Sequence, residues 1–235
     1  MLFFQCRPTV GRFNAEECSM RITKEPEERK NEILDTAEML FAEKGYAKAT
    51  VNDILQTIGI AKGTFYYYFK SKEEVMDAIV MRFVEEGVAT AKAIASNSSL
   101  SAHEKVFMIL MSQKPNTGRK EQMIEELHEA KNAEMHQKSL AETILRLSPV
   151  LTQVIEQGIS EGAFSTPFPG ESVEILLSSS EFLFDEGIFR WTPEEIRQKS
   201  AAFVWAIETM LGAKSGSFQY IAGMLQQSSS HQDKE

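Results

Sequence analysis

The chain has 235 residues, 43% of them apolar, and a formal net charge of −9. That length allows one large or two modest cores that need neither disulfide nor metal, and no apolar run reaches the roughly 18–20 residues of a membrane span. The acidic balance speaks against a general polyanion binder, and the two cysteines, Cys6 and Cys18, give no support to a secretory disulfide framework and fit a reducing cytoplasm.

In chain order, residues 1–20 carry the apolar MLFF but neither a basic leader nor a signal-like apolar core. They read as a disordered extension, with Met20 an alternative start. Ile33, Leu34, Ala37, Leu40 and Phe41 then recur at spacings of three and four, so residues 27–44 predict an amphipathic helix stopped by Gly45. Thr50 and Asp53 form a capping-box start for a short second helix ending at Gly59, and a third begins near Ala61 or Lys62. Ser71 caps a longer helix that runs towards Ala95. Helix, short helix, tight glycine turn, short helix and cap is the order of a helix-turn-helix unit.

The third helix contains three consecutive tyrosines. At 100° per residue Phe65 and Phe69 fall about 40° apart and set its inward direction, which leaves Tyr67 at the centre of the outward face, with Tyr66 and Tyr68 on the flanks and Gly63 and Thr64 nearby. Between Ile54 and Lys72 there are three lysines and no acidic side chain. The acidity lies elsewhere: residues 21–75 carry nine Lys/Arg against ten Asp/Glu, whereas residues 76–235 carry fourteen against twenty-two. A small, hydroxyl-bearing face with lysines at its ends approaches a polyanion without like-charge repulsion, and its hydroxyls donate to phosphate oxygens or meet base edges. A run of tyrosines that bury their rings and wet their hydroxyls is the alternative reading of the same face.

The segment ILDTAEMLFAEKGYAKATVNDILQTIGIAKGTFYYYFKSKEEVMDAIV, Ile33 to Val80, resembles the TetR-type (tetracycline-repressor-like) transcriptional regulators. Its densest parts are G-x-x-x-x-T-V-x-D-I and GIAKGTFYYYFKSKEE. The resemblance implies an all-α homodimer with an N-terminal three-helix headpiece for operator DNA and a larger C-terminal helical domain for a small effector and for dimerisation. It places operator contacts at Thr50, Asn52, Lys62, Gly63, Thr64, Tyr66, Tyr67, Tyr68 and Lys72, and buried positions at Phe65 and Phe69. Beside that, Thr50 has an equal claim as a helix cap, Lys72 sits in the first turn of helix four where free N–H groups favour a phosphate, and Lys62 suits guanine or phosphate. The expected organisation is an extension at 1–20, the helix-turn-helix at 21–70, a connecting helix at 71–95, the effector and dimerisation domain at 96–214 and a tail at 215–235.

In that larger part, Ser101 with Glu104 caps a helix to about Gln113, and KPNTGRK reads as a loop. Helices are expected over about 120–139 and 140–162, the second with a break at Pro149, and then over 171–187 after TPFPG. Thr192-Pro193-Glu194-Glu195 starts a last helix to about Leu211, whose apolar stripe of Ile196, Phe203, Val204, Ile207, Met210 and Leu211 serves either a dimer interface or the subunit's own core. Phe107, Met108, Met111, Met123, Phe182 and Trp205 are the candidate walls of an effector pocket, although residues of these types more often serve as plain core. His128 and His136 stand eight positions apart among glutamates, a spacing that reads as a solvated face, so no metal and no cofactor is expected. No P-loop, GxSxG, HExxH or CxxC pattern occurs, and no enzyme is expected. The expectation is a cytoplasmic DNA-binding regulator, a repressor by default, released by a small and partly apolar effector. Its competitor is a helical small-molecule-binding or adaptor protein whose helix-turn-helix is only structural.

Overall fold

A computed structural model describes residues 25–114, 118–129 and 132–228, which hold ten α-helices and no strand. The first four helices are α1 (Pro26–Lys44), α2 (Val51–Ile58), α3 (Lys62–Tyr68) and α4 (Lys72–Ala95). Their ends are fixed by local chemistry. The Thr50 hydroxyl accepts from the Asp53 N–H while the Asp53 carboxylate accepts from the Thr50 N–H, the reciprocal box that starts α2. Lys44 and Thr50 together hold the Asp53 carboxyl far below the usual carboxylate range. Gly59 closes α2 with φ 75°, a left-handed conformation that glycine adopts without a Cβ clash and that turns the chain into α3 within a few residues. The Ser71 hydroxyl accepts from the Glu74 N–H to start α4.

Two hydrophobic clusters hold the molecule together. The first gathers Ile33, Leu34, Ala37, Leu40 and Phe41 of α1, Ile54 of α2, Phe65 and Phe69 around α3, and Val75, Met76, Ile79 and Val80 of α4. The second uses the far end of α4 (Val88, Ala91) with α5 (Ala102–Gln113), α7 (Ala133–Ser160), α8 (Pro169–Leu183), α9 (Pro193–Leu211) and α10 (Gln219–Ser228). Helix α4 therefore belongs to both, and at 24 residues it reaches about 36 Å between them. Arg82 ties it to α1, with hydrogen bonds of 2.6 Å to both Asp35 and Glu38.

The C-terminal helices depart from sequence expectation in three places. Helix α6 (Gly118–Leu127) starts inside the expected KPNTGRK loop, and α7 is one helix of 28 residues, so the break lies just after Leu127 rather than at Ser139 or Pro149. A proline removes one helix hydrogen bond, and here burial of Leu147, Ser148, Val150 and Leu151 on both sides keeps the helix continuous. Met123 and Leu127 of α6 are buried in the first cluster, against the headpiece. The third departure is the segment expected as a tail from residue 215, which contains α10. Phe218, Ile221 and Ala222 are buried in the second cluster, and buried Glu208 accepts a 3.1 Å hydrogen bond from the Phe218 N–H. The expected extension at 1–20 lies outside the described residues.

Candidate functional site

The outward face of α3 is built by the anchors beneath it. Phe65 and Phe69 are buried with ring centroids 6.1 Å apart, which turns Tyr67 out to 78% exposure. Tyr66 is exposed with the Lys62 ammonium 5.7 Å from its ring centroid. Tyr68 is half-buried, edge-on to Tyr67 at 4.9 Å, and packs against the headpiece cluster. Thr50, Asn52, Lys62 and Gly63 are exposed and Thr64 is half-buried. The Thr50 hydroxyl is engaged as the α2 cap, bonded at 2.6 Å to Asp53.

Lys72 is placed differently from its neighbours. Its ammonium donates to the backbone carbonyls of Tyr46 at 2.7 Å and Ala49 at 3.0 Å and lies 4.2 Å from the Tyr46 ring centroid. It thereby staples the α1–α2 connection to the start of α4, and two of its three N–H groups are used in doing so. Burial and the nearby Glu73 and Glu126 carboxylates push the Tyr46 phenol up to about 12, so it stays protonated beside that ammonium. Sequence reasoning gave Lys72 a phosphate role and missed this one, because the carbonyls it meets lie 23 and 26 positions earlier.

A second feature is a cleft of about 1110 Å³ between the end of α6, the first half of α7, the second half of α8 and residues 187–188. Leu140, Ile144, Phe182 and Ile188 line it with His128, His136 and Glu181. Of the expected pocket walls, Phe182 lies here. Met123 is buried in the headpiece cluster, whereas Phe107, Met108, Met111 and Trp205 are exposed and line no part of this cleft. At the cleft's edge His136 Nε2 lies 2.8 Å from Asp185 Oδ2, and His128 Nε2 lies 3.8 Å from Asp185 Oδ1. The expected solvated histidine face is therefore corrected: the chain turns between α6 and α7, the two imidazoles come to a centroid distance of 5.0 Å, and Asp185 joins them. Asp185 was invisible to spacing arguments, lying 49 positions from His136. Burial lowers the His128 pKa, with Asp185 opposing, and burial with the Asp185 charge raises the Glu181 carboxyl to about 7.

Comparison with known proteins fits this geometry. The family described as "Bacterial regulatory proteins, tetR family" matches residues 33–79, and "Tetracyclin repressor-like, C-terminal domain" matches residues 115–206. The HTH-type regulator YhgD of Bacillus subtilis is 30% identical over 172 residues, 70% of this chain and 84% of that protein. The chain belongs to the TetR family. The HTH-type transcriptional repressor KstR2 of Mycolicibacterium smegmatis is 25% identical over 142 residues, 60% of this chain and 69% of that protein. A TetR/AcrR-family regulator from Thermobifida fusca has the same fold, with a TM-score of 0.54 and 23% identity over 85% of this chain and 97% of the other. As a TetR-family member the chain is a DNA-binding transcriptional regulator. No helix among its described residues is long and apolar enough to cross a membrane.

Proposed function

We propose that this TetR-family regulator acts as a cytoplasmic homodimeric repressor that sets α3 of each subunit into successive major grooves of a pseudo-palindromic operator, about 34–36 Å apart. The observation that carries this reading is the α3 face: Tyr67 stands 78% exposed over two buried phenylalanines, in a stretch from Ile54 to Lys72 without one acidic side chain. On that face Tyr66, Tyr67, Thr64, Gly63 and Lys62 meet the duplex, and Asn52 and Thr50 flank them on α2. Lys72 acts mainly by holding the α1–α2 connection, with one N–H left to offer. The helix-turn-helix at 21–70 is the reading head, and α4 at 71–95 is the link to the effector and dimerisation part at 96–214, which extends through α10.

Dimerisation through α8 and α9 is supported by an apolar face that the subunit leaves uncovered. Ile175 is exposed on α8, seven positions after the exposed N-cap residue Phe168, and Trp205 is exposed on α9. The stripe expected to serve either role is used inside the subunit: Ile196, Val204, Ile207 and Leu211 are buried. A small effector takes the cleft beside α7. An effector that prefers a different headpiece separation weakens operator binding by its difference in affinity for the two states.

The test is selection of bound duplexes from a random pool by the full-length chain, followed by the stoichiometry of the complex. The reading expects an inverted repeat with half-sites one helical turn or a multiple apart and two chains per site. Recovery of no sequence, with no affinity for any duplex, would support the competing adaptor reading.

A further inference from the structure

We propose that His128, His136 and Asp185 form a binding site for one divalent transition-metal ion of the zinc and nickel class, and that its occupancy is coupled to DNA binding through α6. Three elements deliver the ligands: the turn after α6, the first turn of α7 eight positions later, and, 49 positions beyond that, the connection after α8. One donor atom of each lies within 4.8 Å of the others. Ligand bonds of about 2.0–2.1 Å in a tetrahedral arrangement set donors about 3.3 Å apart, so the site closes on an ion with small side-chain movements.

The surroundings are built for this convergence. Asp185 Oδ1 accepts a 3.0 Å hydrogen bond from the Ile188 N–H, which orients the carboxylate. At Gly187 a Cβ would fall 2.5 Å from His128 Cδ2, so the absence of a side chain there is what admits the imidazole. All three ligands are half-buried, and both histidines line the cleft, so a fourth position opens towards it for water or an effector group. Two imidazoles with one carboxylate select borderline transition metals over calcium or magnesium, which take all-oxygen sets. On binding, the ion replaces the His136–Asp185 hydrogen bond: Nε2 presents its lone pair and the ring carries its proton on Nδ1.

The coupling follows from where α6 goes. Leu127, next to His128, and Met123 one turn earlier are buried in the headpiece cluster, and Met135, next to His136, packs against it. An ion fixing His128 to His136 and Asp185 therefore fixes the end of a helix whose apolar face is part of the headpiece core. This half of the proposal rests on the DNA-binding reading above, while metal binding itself does not.

The experiment is calorimetric titration of untagged, chelator-stripped full-length protein with zinc, nickel and magnesium chlorides, then operator affinity with and without zinc. One zinc or nickel ion per chain is expected, with no matching magnesium signal. His128→Ala, His136→Ala and Asp185→Asn each weaken zinc binding by about 10- to 100-fold or more. Asp185→Asn keeps the shape and the Ile188 hydrogen bond, so its circular dichroism and melting reveal any misfolding. Gly187→Ala, which alters no ligand, weakens zinc binding by displacing His128. Zinc changes wild-type operator affinity by at least about fivefold and leaves the Asp185→Asn operator affinity unchanged. Absence of stoichiometric binding, equal binding by the ligand variants, or magnesium bound as tightly overturns the site. Stoichiometric zinc with unchanged operator affinity overturns the coupling. Failure to bind any duplex in either state strikes the DNA-binding reading instead, since the calorimetry contains no DNA.

Discussion

Replacing Ile175 and Trp205 together with aspartate is expected to convert the proposed dimer to monomers and to lower its operator affinity by about 10²- to 10⁴-fold, the range lost when two linked binding events become one. Trp205 is 67% exposed and Ile175 is exposed on the adjacent helix, so neither supports the subunit's own core. Surface substitutions of this kind change folding stability by about 0.5 kcal/mol or less, and the monomer therefore stays folded. An isologous two-fold interface presents each residue twice, so two substitutions place four carboxylates in one desolvated patch. Light scattering after gel filtration reads the mass, and fluorescence anisotropy with the selected duplex reads the affinity. A variant that remains dimeric moves the interface away from α8 and α9.

Lys105→Met is expected to lower folding stability by about 2–5 kcal/mol, a large part of the roughly 5–15 kcal/mol of a typical domain. Lys105 is 3% exposed, and its ammonium donates at 2.6 Å both to the Ala95 carbonyl at the end of α4 and to Gln157 Oε1 on α7. Gln157 Nε2 in turn donates to the Leu100 carbonyl at 2.9 Å, and Glu161 accepts from the Ala102 N–H at 3.0 Å. One cation thus joins the last turn of α4, the start of α5 and the end of α7. Methionine fills a similar volume but leaves two part-buried acceptors without their donor, at most about 1–3 kcal/mol each. Urea unfolding checks it: the midpoint falls with an unchanged slope. A midpoint equal to wild type would show that the acceptors find other donors.

The contrast between those two regions and the headpiece shows what was legible in the chain. The boundaries of α1 to α4 are written locally, in Gly45, the Thr50–Asp53 box, Gly59 and Ser71, each acting within four residues of its effect. The α3 phase was likewise fixed by Phe65 and Phe69 and needed no partner element to be deduced. Lys105 was hidden because a lysine among apolar residues reads as surface, and only Ala95 and Gln157, 10 and 52 positions away, explain its burial. The His128, His136 and Asp185 cluster was hidden for the same reason, since the turn after Leu127 and the α8–α9 connection had to be folded before the three met. Pro149 misled in the other direction, as a local breaking signal overruled by the packing of the turns around it.

The most direct measurement of the central claim, that the outward face of α3 grips the duplex, is the operator affinity of Tyr67→Ala beside wild type at one fixed salt concentration, with melting of both. Tyr67 is 78% exposed and meets only the edge-on Tyr68 ring among the aromatic contacts, so the melting temperature stays close to wild type. The account predicts that affinity falls by about 30- to 10⁴-fold, as for loss of a contact worth roughly 1–3 kcal/mol at each of the two half-sites. Equal affinity of variant and wild type for the selected duplex would contradict it.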